Sequence, residues 1–286
     1  MAAKLLMGKE IADKIKVELK AEVEQLKLKH GVGPKLVSVA VGDNSASAVY
    51  VKSQAKIAEA LGIGFELREF SGSSSEHEII EAIKKMNHDK EVSAMIIQMP
   101  LPKQIDAKKV IAAMSPIKDA EGMHPENMGK VVFGGAKIAP CTPSACMELI
   151  KAAEINIYGM EAVVVGHSEI VGKPLALMLL EKFATTTVCH IATGERGALP
   201  EHVKRAEVLI VAVGKAGIVK GEWIKEGAVV IDVGINRVGD KIVGDVEFEA
   251  ASQRASHITP VPGGVGPLTV TMLMRNVVEA YKIQHS

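Results

Sequence analysis

The chain carries no excess of either charge, since 34 basic residues balance 34 acidic ones. That balance gives a polyanion no general attraction, and no cluster of arginines is interleaved with aromatics, so nucleic acid is not an expected partner. Cysteine is scarce. Cys141, Cys146 and Cys189 form an odd set without a CxxC pair, which argues against a disulfide framework and a structural zinc site and fits a reducing cytoplasm. No metal is expected. Long apolar runs are missing as well. The start, MAAKLLMGKEIADKIK, turns polar too soon for a signal-peptide core, and no run approaches the length that spans a bilayer. The expectation is a soluble, non-exported protein with no membrane partner. At 286 residues, 48% hydrophobic and 24% charged, the chain has the composition of an ordinary globular protein and the length for two domains.

Periodicity divides it. Over residues 9–29, Ile11, Ile15, Leu19, Val23 and Leu26 recur at spacings of three and four among lysines and glutamates, as on a helix with one buried stripe. The pattern then predicts a strand at 36–41, a helix at 46–61 closed by Gly62, a strand at 65–70, a helix at 79–86 and a strand at 94–99. Residues 115–143 are rich in proline and glycine, which places a domain change within or just after them. A second series follows: strand 162–165, helix 173–182, and strands 187–190, 208–213 and 229–233. Apolar strands separated by helical segments imply a parallel sheet covered on both faces. The fold class is therefore α/β, in two α/β domains.

Three places attract chemistry. Residues 259–269 read TPVPGGVGPLT, with three prolines and three glycines in eleven positions, a composition unsuited to ordinary helix or strand. It predicts either a rigid ligand loop feeding a helix that starts behind Pro267 and Thr269, or a domain connector. Strand 162–165 runs into Gly166-His167-Ser168-Glu169-Ile170-Val171-Gly172 and then a helix. This is the context of a dinucleotide fingerprint with Ser168 in place of the middle glycine, or else of a plain tight turn. Gly214 and the Gly234-Ile235-Asn236 segment follow later strands, where ligands of open α/β sheets bind. Finally, Tyr50 and Gln54 share a helix face four residues apart. Gln98 ends a strand and Glu121 lies in the Pro-Gly-rich segment, positions that suit a cleft or simply solvent and backbone.

Taken together, VGDNSASAVYV (41–51), QMPLP (98–102), HPENMG (124–129), PCTP (140–143), GHSEIVGKP (166–174), VIDVGIN (230–236), VGDV (243–246) and TPVPGGVGPLT resemble the bifunctional methylenetetrahydrofolate dehydrogenase and methenyltetrahydrofolate cyclohydrolase (FolD) family over nearly the whole chain. The resemblance implies a folate-binding domain at 1–143 completed by a C-terminal helix at 269–286, a Rossmann-type NAD(P)-binding domain at 144–268, a cleft between them, and a homodimer. It implies oxidation of 5,10-methylenetetrahydrofolate and hydrolysis of the methenyl product. Tyr50, Gln54, Gln98 and Glu121 take the catalytic positions, with Ile97, Met99, Pro260, Pro262, Gly263 and Gly264 beside the folate. Gly166, His167, Ser168, Ile191, Gly214 and Ile235 take the cofactor positions.

Two departures carry predictions. The family's YxxxK helix ends here in Gln54, and Lys52 and Lys56 lie roughly 200° around a 3.6-residue helix from it, so neither stands in. The KDVDG segment reads Lys118-Asp119-Ala120-Glu121-Gly122, with glutamate for aspartate. Hydride transfer needs positioning, because nitrogen lone pairs stabilise the cation that forms. Hydrolysis needs proton movements that an amide cannot supply. Dehydrogenase activity is expected to persist and cyclohydrolase activity to be weak or absent. On the nucleotide side, His167 and Ile191 occupy positions near the 2′-phosphate that many relatives give to arginine and serine. This leans the choice between NADP and NAD toward NAD, unless Arg196 reaches the phosphate. A dehydrogenase for another small substrate and a non-catalytic folate or nucleotide sensor are the alternatives.

Overall fold

In the computed structural model of the chain the residues described are 2–43 and 45–286, without the side chains of 45–47. Asn44, inside the VGDNSASAVYV segment, lies outside the described residues. The chain divides into two compact units. One comprises Lys14–Cys141 with Val270–Ser286, and the other Met1–Asp13 with Thr142–Thr269.

The elements run β1 (Lys4–Leu5), α1 (Gly8–His30), β2 (Lys35–Val41), α2 (Ser45–Leu61), β3 (Gly64–Phe70), α3 (Glu76–His88), β4 (Ala94–Ile97), α4 (Ala107–Ala113) and α5 (Pro125–Phe133). In the unit built around residues 14–141, β2 pairs in parallel with β3 on one side and β4 on the other. Val37, Val39 and Val41 of β2 pack with Met95 and Ile97 of β4 and with Ile79, Ile83 and Met86 of α3. Those α3 residues are spaced by four and three, so they form one buried stripe. The helix starts where Ser75 Oγ accepts from Glu78 N at 3.2 Å, satisfying an amide that has no partner inside the helix.

The proline- and glycine-rich stretch 115–143 is more regular than its composition predicts. It contains α5, because Pro125 sits in the first helical turn and Gly134, at φ 82°, ends the helix. In those positions proline and glycine bound a helix rather than break it.

The remaining elements are α6 (Cys141–Ala152), β5 (Glu161–Val165), α7 (Gly172–Glu181), β6 (Thr185–Cys189), α8 (Ile191–Glu195), α9 (Leu199–Arg205), β7 (Val208–Val211), β8 (Val229–Asp232), β9 (Asn236–Val238), β10 (Lys241–Val243), α10 (Phe248–Ser252), β11 (His257–Ile258) and α11 (Val265–Gln284). The second unit holds a parallel sheet in the order β1-β11-β8-β7-β5-β6, and β9 and β10 form a separate antiparallel pair. Every residue of β7 and β8 is buried, as expected for central parallel strands covered on both faces.

Two boundaries differ from the sequence pattern. Strand β6 starts at Thr185 and ends at Cys189, because it is a partly exposed edge whose threonines suit a strand without being apolar. Helix α11 starts at Val265, so the second half of 259–269 is helical. Pro267 is tolerated there because amides of a first turn have no intrahelical acceptor. The sequence also groups residues 1–143 together, whereas Met1–Asp13 fall in the second unit. The cause is β1, which lies parallel to β11, with Lys4 N donating to Ser256 O at 2.8 Å and Leu6 N to Ile258 O at 2.9 Å. The three cysteines are free and buried. Among the described residues no helix is long and apolar enough to cross a membrane.

Candidate active site

Helix α2 carries the first cluster. Gln54 is fully buried, whereas Lys52 and Lys56 are exposed, as the angular offset of the two lysines requires. Gln98, one residue past β4 and also buried, turns its amide toward β2 and α2. Its Nε2 donates to Ser38 Oγ at 2.9 Å and to Gln54 Oε1 at 3.2 Å. Gln54 Nε2 is buried and makes no hydrogen bond of ordinary length and angle, although the Tyr50 phenol lies near enough to feel it. An unmet buried donor costs about 1–3 kcal/mol, and in native proteins such atoms call for an explanation. Tyr50, one turn before Gln54, has its phenol raised above the usual range, first by burial, then by Cys141 and Glu121, with the Gln54 amide opposing the shift.

Glu121 completes the cluster. Burial, and then the neighbouring Asp119, push its carboxyl up to about 8. Asp119 itself is raised by burial, although its oxygens accept from His124 N at 2.7 Å, Gly122 N at 3.0 Å, Asn127 Nδ2 at 3.1 Å and Glu121 N at 3.2 Å. Those bonds wind residues 119–124 into a tight turn. Gly122 makes the turn possible, with φ 72° and an added Cβ only 2.3 Å from Ala139 C. Asn276 of α11 clamps it by donating to Ala120 O and Ala139 O, both at 2.8 Å. Cys141 Sγ lies 3.4 Å from Ala120 O, and its thiol is raised by burial, then by Glu121 and Asp119. Lys118 Nζ is engaged elsewhere, donating to Asp89 O at 2.6 Å and Met86 O at 2.9 Å.

The four residues read as catalytic therefore all belong to one unit. Gln54 and Gln98 are hydrogen-bonded, while Glu121 is close enough to Tyr50 to raise its phenol. Met99 is 38% exposed, but Ile97 is 3% exposed and packs in the core, leaving only its backbone for a ligand. Ser38, Asp119, Cys141 and Asn276 escaped the sequence reading. The available signal was a polar residue interrupting an apolar run, as Ser38 does in KLVSVAV.

The second unit holds the nucleotide-type features. The chain runs from β5 outward to β6, then crosses back to β7 on the other side of β5, which makes the carboxyl ends of β5 and β7 the switch point where open α/β sheets bind ligands. Gly166 follows β5 there, with φ 126° and an added Cβ 2.3 Å from Ala212 O. A Cβ on Gly172, the first residue of α7, would fall 2.0 Å from Gly166 O. Both glycines therefore allow a turn too tight for side chains. Ser168, in place of the middle glycine, accepts through Oγ from Val171 N at 3.1 Å and Gly172 N at 3.5 Å, so it caps the start of α7. Gly214 has φ 74° and open space around it, and Ile191 and Ile235 are 77% and 68% exposed. His167 and His190 face each other with ring centroids 5.4 Å apart.

Two buried aspartates fix the neighbouring loops. Asp245 accepts from Val213 N at 2.7 Å and from Gly214 N, Lys215 N and Asn236 Nδ2, each at 2.8 Å. Asp232 accepts from Gly234 N at 2.9 Å, Val246 N at 2.9 Å and Asp245 N at 3.0 Å, and burial lifts its carboxyl to about 6 against those bonds. The turn 260–264 is closed by Gly264 N donating to Pro260 O at 2.9 Å and by Gly8 N donating to Gly263 O at 3.0 Å.

Family models match on both sides. "Tetrahydrofolate dehydrogenase/cyclohydrolase, catalytic domain" covers residues 6–121, and "Tetrahydrofolate dehydrogenase/cyclohydrolase, NAD(P)-binding domain" covers 140–285. The chain belongs to this family. The bifunctional protein FolD of Acetivibrio thermocellus is 52% identical over 99% of both chains. Among solved structures, the bifunctional FolD methylenetetrahydrofolate dehydrogenase/cyclohydrolase of Campylobacter jejuni superposes with a TM-score of 0.95 at 43% identity, covering 99% of this chain and 100% of that one. The Trypanosoma brucei FolD, solved with NADP cofactor and an inhibitor, gives 0.94 at 35%, covering 100% and 99%. This tetrahydrofolate dehydrogenase/cyclohydrolase family member thus has a catalytic domain holding the Gln54 cluster and an NAD(P)-binding domain holding the glycine cradle.

Proposed function

We propose that the protein oxidises 5,10-methylenetetrahydrofolate to 5,10-methenyltetrahydrofolate with a nicotinamide dinucleotide, and that it catalyses the following hydrolysis to 10-formyltetrahydrofolate poorly. Family membership carries both activities. The observation that separates them is Gln54, a buried amide with an unmet donor at the position where the resemblance expects lysine.

The glycine cradle at Gly166 and Gly172 fits a dinucleotide, which when bound accepts the hydride. The chain's own residues do the rest. Gln54 Nε2 offers a hydrogen bond to an acceptor on the pterin, with Gln98 and Ser38 holding the amide in place. Tyr50 packs beside it. Glu121, raised to about 8, donates a hydrogen bond when protonated and accepts one when ionised, and its ionised form favours the cation left by hydride loss. Ring opening by water requires proton transfers, and an amide cannot cycle a proton. Pro260, Pro262, Gly263 and Gly264 are assigned to the folate and nicotinamide side. Gly166, His167, Ser168, Ile191, Gly214 and Ile235 are assigned to the dinucleotide.

The absence of arginine at His167 and of serine at Ile191 favours NAD over NADP. The same reading carries a cytoplasmic homodimer, which sedimentation of the purified protein tests. Both steps are assayed with purified enzyme, following reduced nicotinamide for the first and loss of added methenyltetrahydrofolate for the second. Fast hydrolysis by the unmodified protein overturns the second half of the proposal. A folate-binding protein that reduces neither cofactor overturns the first and leaves the sensor reading.

A further inference from the structure

Strands β5 and β6 pair in parallel with Val165 opposite Cys189, and Gly166 N donates to Cys189 O at 2.9 Å. His190 follows Cys189 directly, and His167 lies two residues past Val165. Their rings lie 5.4 Å apart, tilted by 54°, and both side chains are exposed at the carboxyl edge of the sheet. In a dinucleotide fold of this kind, the carboxyl end of the second strand carries the group that reads the adenosine ribose. A carboxylate there binds the 2′-hydroxyl and repels a 2′-phosphate, and a fixed cation does the reverse. This chain has neither. His190-Ile191-Ala192-Thr193 contains no acid, and the first carboxylate, Glu195, is at the far end of α8.

We propose that His167 and His190 jointly read the 2′ position of the ribose, accepting a 2′-phosphate when protonated and only a hydroxyl when neutral, so that acidity sets the preference between NADP and NAD. This rests on the assignment of the cradle at Gly166 to the dinucleotide. Histidine is the side chain that changes charge near neutral pH. A phosphate placed between two imidazolium rings gains charge-assisted hydrogen bonds and relieves the repulsion between them. The other charged groups nearby are either fixed elsewhere or exposed. Lys173 pairs with Glu169 at 3.8 Å, while Arg205 reaches Thr187 Oγ1 at 2.7 Å and Glu161 at 3.6 Å. Glu195, Arg196 and Lys215 are exposed at the ends of the neighbouring elements.

The test is the ratio of kcat/KM for NADP to that for NAD between pH 8.5 and 6.5. The window stays above the second ionisation of the phosphate itself, near 6. The ratio is expected to rise by about ten- to a hundredfold toward pH 6.5. His190→Gln and His167→Gln flatten that slope, His167→Arg fixes an NADP preference independent of pH, and Arg196→Gln leaves the slope in place. A ratio that does not change with pH in the unmodified enzyme, or a slope lost in Arg196→Gln but kept in both glutamine variants, overturns the proposal. Calorimetric titration with NADH and NADPH separates this failure from a deeper one, because an enzyme that binds neither nucleotide overturns the dinucleotide assignment as well.

Discussion

The two units treat buried polar groups in opposite ways. In the nucleotide unit, Asp245 and Asp232 are fully buried or nearly so, and seven hydrogen bonds from three segments, 213–215, 234–236 and 245–246, converge on their oxygens. In the catalytic unit, Gln54 is equally buried but leaves a donor without an ordinary hydrogen bond, and among the described residues no cation offsets the burial of Glu121. A satisfied network fixes backbone. On the proposed function, the unsatisfied one is held ready for a ligand that returns the stability it forgoes.

The largest test of this contrast is Gln54→Lys. An ionisable group at the open position should raise methenyltetrahydrofolate hydrolysis by about 10²–10⁴-fold while changing hydride transfer far less. No gain would mean that the open donor serves something other than proton traffic. Next, Gly166→Ala forces a Cβ against Ala212 O in a conformation alanine resists. It should destabilise the fold by about 2–4 kcal/mol and abolish nucleotide binding, read by thermal denaturation with and without cofactor. Asp245→Asn turns an amide donor toward a set of donors, for an expected loss of about 2–4 kcal/mol. An unchanged Tm would show that the network is not the scaffold it resembles.

Glu121→Gln is a smaller and pH-dependent effect. Because the folded carboxyl is raised to about 8 from 4.5, the folded state holds its proton where the unfolded chain has lost it. Stability contributed by the protonated form is complete below pH 4.5 and is lost as pH rises to about 8. The variant should match the parent in stability near pH 5 and exceed it above pH 8 by about 1–3 kcal/mol, read by denaturation at the two pH values. Equal stability at both pH values would place Glu121 in solvent. The smallest effect belongs to Ser38→Ala, which removes one of the two acceptors of Gln98 Nε2 at a cost of about 1 kcal/mol. It should raise the folate KM more than it lowers kcat.

The sequence made Gln54 legible because helical geometry alone separates it from Lys52 and Lys56. It did not reveal what Gln98 binds, since that depends on β4 lying beside β2 with Ile96 opposite Ser38, a long-range pairing no local pattern contains. The family resemblance puts Ile97 beside the folate, but its side chain packs in the core, as strand alternation allows. His190 went unnoticed for a related reason. Its neighbour His167 is 23 residues away in sequence and meets it only because β5 and β6 are paired. The α/β class, by contrast, followed from apolar runs and their spacing, which reflect burial directly. Short elements such as β1 and β11, at two residues each, leave too little pattern to read.

The division of the chain into Met1–Asp13 with Thr142–Thr269, and Lys14–Cys141 with Val270–Ser286, has a consequence for how the molecule is made. Each unit includes a segment from early in translation and one from late. Strand β1 is made long before its pairing partner β11, which emerges some 250 residues later. The Asn276 clamp on the turn at Ala120 arrives later still. Synthesis stopped short of the last helix would therefore leave the nucleotide unit nearly whole, with β1 already paired to β11, and the catalytic unit without the helix that carries its clamp.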